Sequence, residues 1–130
     1  RMRGHGRILQ ISSIGAYQPS PYYAAYSATK AYVLFLSEAA NFELKGSGVS
    51  VTTICPGLTA TEFHDVAEHP KTGLMALTTM TSRDVARIAI RSAERGKAVV
   101  TTGFINKLAG FFTKLVPRSW ANAITGLMMR

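Results

Sequence analysis

Ile8-Leu-Gln-Ile-Ser-Ser13, a run from Tyr22 to Leu44 without Gly or Pro, and Val49-Ser-Val-Thr-Thr-Ile54 together decide the fold. The first and last pieces are short, aliphatic and partly alternating, the pattern of buried strands. Between them, Gly15, Pro19, Ser20 and Pro21 mark a loop. The Ala-rich run reads as one helix, stopped by Gly46-Ser47-Gly48. A strand, a long helix and a second strand make a crossover unit, and such a unit demands parallel strands.

Working outward, Cys55-Pro56-Gly57 ends the second strand, and a looser segment runs from Leu58 to Thr79. A short helix is expected there, around Thr61–Glu68. Thr81-Ser-Arg-Asp84 has the spacing of a capping box, with Asp in place of the usual Glu. It should open a helix that runs to about Arg95 and stops at Gly96. Ala98-Val-Val-Thr-Thr102 reads as a third strand, and Phe104 to Arg130 as two short helices separated by Pro117. The expected fold is α/β: a doubly wound parallel sheet of about three strands with flanking helices over residues 1–103, then a helical tail over 104–130. Three strands are few for an open sheet of this kind. The first strand should therefore keep one unpaired side.

Composition narrows the function. In 130 residues, 47% are hydrophobic and 17% charged, which excludes a disordered tail. One Cys excludes a disulfide framework, and with 3 His it leaves no zinc-type ligand set, so no metal is expected. Cys55 has nothing nearby to activate it, which suits a reducing, cytoplasmic compartment. The net charge of +8 invites nucleic acid, an anionic membrane or a phosphate-bearing ligand. Arg83, Arg87, Arg91 and Arg95 form one stripe opposite Val85, Ile88, Ala89 and Ala93, the pattern of a solvated helix face. No recognition-helix motif accompanies it, so nucleic acid is not expected. The tail carries Lys107, Lys114, Arg118 and Arg130 without an acid, among many Phe, Leu and Ile residues. That composition suits peripheral attachment to an anionic membrane surface, or a helix packed over a cleft or against another subunit.

The chemistry-bearing motif is Tyr26-Ser-Ala-Thr-Lys30. A spacing of four puts phenol and ammonium on one helix face. An ammonium beside a phenol favours the phenolate, which makes the pair a proton donor or acceptor. Ser13 stands thirteen residues earlier at a strand end, and Thr61 stands four residues after Gly57. On Gly6-Arg-Ile-Leu-Gln-Ile-Ser-Ser13, Tyr26-Ser-Ala-Thr-Lys30 and Cys55-Pro-Gly-Leu-Thr-Ala-Thr-Glu-Phe63, the chain resembles the short-chain dehydrogenase/reductase family over about residues 4–103. The resemblance implies a partial Rossmann-like fold and hydride transfer between a nicotinamide cofactor and a carbonyl or alcohol carbon. The cofactor is NADP or NAD, with NADP preferred. Tyr26 is then the general acid/base. Lys30 holds the nicotinamide ribose, and Ser13 orients the substrate carbonyl. Pro56, Gly57, Leu58, Thr59 and Thr61 join Tyr26 and Lys30 around the cofactor. Tyr17 and Tyr23, for which aromatic packing is an equal alternative, and Phe63, with Ser13, are candidates for the substrate side, and a small hydrophobic carbonyl or alcohol is the expected substrate. A homodimer or tetramer through the 22–44 helix is a further expectation.

The departures from the family pattern are equally informative. No G-x-x-x-G-x-G turn occurs, the residue that selects between the two cofactors is absent, and so is the upstream catalytic Asn. Gln10 replaces the commoner Asn before the Ser pair. The expectation is a C-terminal half with the N-terminal dinucleotide-binding half missing, inactive alone. Ser13 with His64 or His69 does not make a hydrolase triad, because no G-x-S-x-G elbow surrounds it. A second functional class stays open: a non-catalytic piece that binds a membrane or a partner through the basic tail and the Arg stripe.

Overall fold

In the computed structural model, residues 4–60 and 79–128 are described, apart from the side chains of Lys114 and Met128. Three strands form one parallel sheet: β1 (Gly6–Ile11), β2 (Val49–Cys55) and β5 (Val99–Thr101), in the order β1-β2-β5. Gly6 pairs with Val49 and Ile11 with Ile54, while Thr53 faces Val99 and Cys55 faces Thr101. The doubly wound parallel sheet is therefore present. Its first strand runs two residues further back than expected, because Gly6 and Arg7 take up the partners that Val49 and Ser50 offer.

Among the described residues β1 lies at an edge of this sheet, with β2 on one side only. Its apolar side chains stay open, with Ile8 43%, Leu9 37% and Ile11 49% exposed. β2 is the centre of the fold, and Ile54 and Cys55 have no exposed surface.

The crossover from β1 to β2 runs through α1 (Ala24–Glu43). Leu34 turns inward with Ala16 and Cys55, against Tyr17, Ala31 and Val99. The crossover from β2 to β5 includes a two-residue parallel ladder, β3 (Thr59–Ala60) with β4 (Met80–Thr81), and then α2 (Ser82–Glu94). The expected cap is present: the Thr81 hydroxyl accepts the Asp84 backbone N–H at 3.1 Å and donates to its carboxylate at 2.7 Å. Satisfying one orphan N–H this way is what starts the helix here. Val85 and Ala89 of α2 pack with Ile54, so α1 and α2 both cover β2. The three arginines of α2 and Arg95, which follows its last turn, lie exposed, and Arg87 pairs with Asp84 at 3.0 Å.

The tail forms α3 (Phe104–Leu115) and α4 (Arg118–Met128), broken at Pro117 as the sequence requires. Both rest on the segment after β1. Gly110 lies against the Tyr17 ring, Gln18 donates to Thr125 at 2.7 Å, and Gly126 lies against Pro21. Among the described residues no helix is long and apolar enough to cross a membrane. The helix expected around Thr61–Glu68 lies outside the described residues.

Candidate active site

The site forms where β1 and β2 end side by side. Ser12 donates its backbone N–H to Ile54 at 2.8 Å, and Ile14 donates to Pro56 at 3.0 Å, so the two strand ends are stitched together. The adjacent serines then divide their tasks. Ser12 is buried, and its hydroxyl donates to the Lys30 carbonyl of α1 at 2.7 Å. Ser13 is half-buried and caps a single 3-10 turn, Ile14–Ala16, by accepting the Gly15 N–H at 3.1 Å. A hydroxyl has one donor and two acceptor lone pairs, so this cap leaves the Ser13 O–H able to donate.

Gly15 is the hinge of the arrangement. A methyl group at this position would sit 3.5 Å from Ser13 Oγ and 3.5 Å from Tyr26 Cε1. Ser13 and Tyr26 thus flank one small space, which the missing side chain leaves open. Tyr26 is 38% exposed, so its phenol edge is accessible. One turn along α1, Lys30 Nζ lies 5.7 Å from the Tyr26 ring centroid and donates to the Ile11 carbonyl at 3.2 Å. The lysine is thereby tied to the end of β1 and held over the phenol. Tyr26 and Lys30 meet as their spacing predicts, and Ser13 joins Tyr26 around Gly15.

The cofactor-side residues are placed in part. Pro56 and Gly57 follow β2 directly, Thr59 donates to the Gly57 carbonyl at 3.2 Å, and the Leu58 carbonyl accepts the Met80 N–H at 3.0 Å. Thr61 and Phe63, with His64 and His69, lie outside the described residues. At Gly57 the backbone meets a side chain from the tail. A Cβ there would overlap the side-chain amide of Asn106 from the first turn of α3. Asn106 is buried and donates to the Thr102 carbonyl at 2.9 Å. It wedges β5, α3 and the Pro56–Gly57 turn together. Its only sequence signal is a lone Asn in the first turn of a largely apolar helix whose other polar residues are Lys107, Thr113 and Lys114.

Of the tyrosines weighed for the substrate side, Tyr23 precedes α1 half-buried. Tyr17 shares a hydrogen bond with the Thr101 hydroxyl at 2.8 Å and packs on the Ala16–Leu34–Cys55 cluster. That places its hydroxyl on β5, as part of the core packing. Burial, with the Cys55 thiol beside it, pushes the Tyr17 phenol well above its ordinary value. Burial likewise pushes the Cys55 thiol up, and the hydrogen bonds from Tyr17 and Ser12 oppose the shift. Cys55 is therefore a neutral core group. Near the start of α1, an open groove of about 280 Å³ is lined by Pro21, Tyr22, Asn122, Ala123, Gly126 and Leu127. Tyr22 is exposed and holds a left-handed backbone conformation, φ 67°.

Three comparisons with known proteins bear on this geometry. A family described as short chain dehydrogenase matches residues 1–72. The very-long-chain 3-oxoacyl-CoA reductase of Mus musculus is 32% identical over 117 residues, covering 89% of this chain and 35% of that protein. Among solved structures, a short chain dehydrogenase from Burkholderia cenocepacia in complex with NADP superposes with a TM-score of 0.71 at 26% identity. It covers 93% of this chain and 47% of that one. A 7beta-hydroxysteroid dehydrogenase gives a TM-score of 0.81 at 24% identity over 95% of this chain and 49% of that one, a likeness of fold. The chain thus spans about a third of the mouse reductase's length and about half of each of these solved chains.

Proposed function

The chain belongs to the short-chain dehydrogenase family, and from that premise we propose that the protein carrying it interconverts a carbonyl and an alcohol with a nicotinamide cofactor. One observation carries the reading: Ser13 Oγ and the Tyr26 ring flank the same space over Gly15, with Lys30 tied behind them. The Ser13 O–H, which its capping role leaves uncommitted, donates to the substrate oxygen and orients the carbonyl. Tyr26 gives its hydroxyl proton to that oxygen during reduction and takes it back during oxidation. A phenol suits the task because it moves a proton without acting as a strong nucleophile.

The donor set fits a nicotinamide cofactor. One N–H of the Lys30 ammonium is spent on Ile11, and the others remain for ribose hydroxyls. The Pro56–Thr59 turn, beside Ser13 and held by Asn106, supplies a wall for the nicotinamide ring. When bound, the cofactor supplies or accepts the hydride. NADP is the preferred form, supported by the Burkholderia relative in complex with NADP. A hydrophobic acyl-type carbonyl is the proposed substrate, supported by the likeness to a 3-oxoacyl-CoA reductase. The outer face of α1, where Tyr32, Phe35, Leu36 and Phe42 are exposed, supports pairing of two copies through that helix.

The test is Tyr26→Phe in the full-length enzyme. Cofactor-dependent carbonyl reduction should fall by about 10²–10⁴-fold, with circular dichroism and NADPH affinity retained. Unchanged turnover removes Tyr26 from the mechanism. The 130-residue chain alone should not turn over. Saturable micromolar NADPH binding by it in calorimetry would refute the view that half of the cofactor site lies elsewhere.

A further inference from the structure

The two helices of the tail are amphipathic in an inverted sense. On α3, Asn106 and Gly110 turn inward, while Phe104, Leu108, Phe111 and Leu115 recur at intervals of three and four on the opposite, exposed face. On α4, Ala121 and Thr125 are buried, whereas Trp120, Ile124 and Leu127 are exposed at the same intervals. The inner sides of both helices rest on the segment from Tyr17 to Pro21. Their apolar outer sides therefore both turn away from the body of the molecule.

Charge selects the occupant of this face. From Arg95 to Arg130 the sequence has no Asp or Glu, but it has Arg95, Lys97, Lys107, Lys114, Arg118 and Arg130. A second copy of the chain would bring the same positive field against itself. An anionic bilayer meets both demands at once, accepting aromatic and aliphatic side chains at the acyl boundary and attracting the cations. We propose that α3 and α4 form a peripheral attachment surface for an anionic phospholipid membrane, with the exposed faces of Phe104, Phe111, Leu115 and Trp120 inserted at the headgroup boundary. The face lies next to the groove that α4 shares with Pro21 and Tyr22, just ahead of the helix that carries Tyr26.

The chain has one tryptophan, Trp120, and its indole is 68% exposed. Its fluorescence therefore reports on this surface without any substitution. Added to vesicles of phosphatidylglycerol and phosphatidylcholine, the 130-residue chain should co-sediment, and Trp120 emission should move to shorter wavelength. Pure phosphatidylcholine should produce neither effect, and raised salt should weaken both. Phe111→Ser with Phe112→Ser should lower vesicle affinity at least about tenfold. Lys107→Gln and Arg118→Gln should lower it roughly fivefold each. Phe42→Ser, which removes an equally exposed ring from α1, should change it less than about twofold. The assay needs neither cofactor nor turnover, so its result is independent of the oxidoreductase reading. The proposal is overturned if Trp120 emission does not move, if neutral vesicles bind as well, or if Phe42→Ser is as damaging as the tail variants. A dimer broken by the Phe111 and Phe112 changes, without vesicle binding, would equally overturn it and assign the face to a second copy.

Discussion

β1 and β2 run side by side in one parallel ladder, and both are built from aliphatic and β-branched residues, yet they occupy different environments. β2 has a strand on each side and helices packed on it, and Thr52, Thr53, Ile54 and Cys55 have no exposed surface. Among the described residues β1 has one neighbour, and Ile8, Leu9 and Ile11 each keep more than a third of their surface open. Hydrophobicity nominates a strand for the core, but it is flanking elements that bury it. The same contrast governs the strand ends. At the turn after β2 the Asn106 amide takes the place of a Cβ on Gly57, while at the turn after β1 a Cβ on Gly15 would fit at ordinary contact with Ser13 and Tyr26.

The largest effect should separate the strands themselves. Ile54→Ala deletes fully buried methyl groups from the centre of the sheet, with an expected loss of about 2–5 kcal/mol. Ile8→Ala, at the half-open edge, should cost less than about 1.5 kcal/mol. Urea unfolding of the two variants measures both. Equal losses would mean that β1 is buried in solution by something that these contacts do not include, such as self-pairing of its free edge.

The next effect belongs to the turn after β2. Gly57→Ala places a methyl group where the Asn106 amide already sits, and overpacking of this kind costs about 1–3 kcal/mol. Asn106→Gly introduced alongside removes the obstacle, so the double variant should be more stable than the sum of the two single losses by at least about 0.5 kcal/mol. Strict additivity would show that the two residues do not touch in solution.

Much of this was legible in the chain. The Gly- and Pro-free run set α1 to within two residues at each end, and the Thr81–Asp84 spacing located the start of α2 because a cap is a local device. The meeting of Tyr26 and Lys30 was legible because one helix turn fixes their relative positions, whereas Ser13 entered through the family resemblance. The β3–β4 ladder was not legible, since two residues carry no period. The Asn106 wedge was also hidden, because it joins positions far apart in sequence through steric fit. The bond from the Tyr17 hydroxyl to β5 was hidden for the same reason, since that strand comes much later in the chain.

Tyr17 provides a smaller, pH-dependent test, since it follows β1 but serves the buried side of the comparison. Its phenol and the Cys55 thiol both have folded values raised above the ordinary 10.0 and 9.0. The unfolded chain therefore releases these protons first as pH rises. Their stabilising contribution is fully present below pH 9.0 and is lost as pH climbs toward the folded values. Tyr17→Phe removes the bond to Thr101 and should cost about 1 kcal/mol near neutrality. The gap between wild type and variant, followed by urea unfolding from neutral to alkaline pH, should shrink as pH rises. A gap that widens would mean that the phenol ionises more easily folded than unfolded.

The smallest stability effect should come from the other strand end, where it carries the most functional information. Gly15→Ala adds a methyl group at ordinary contact distance, 3.5 Å from both Ser13 Oγ and Tyr26 Cε1. Its stability should stay within about 0.5 kcal/mol of the parent, well inside the loss at Gly57. The methyl group nevertheless occupies the space that the proposed substrate carbonyl needs, and misplacing a reacting group by about 1 Å costs on the order of 10²-fold. In the full-length enzyme, kcat/KM should fall by that order while NADPH affinity is kept. Two adjacent glycine turns would then respond in opposite ways, one losing stability and the other losing turnover. If Gly15→Ala turns over normally, the carbonyl does not bind between Ser13 and Tyr26. If it unfolds like Gly57→Ala, the space beside Gly15 is packed protein, and the turn after β1 resembles the turn after β2 after all.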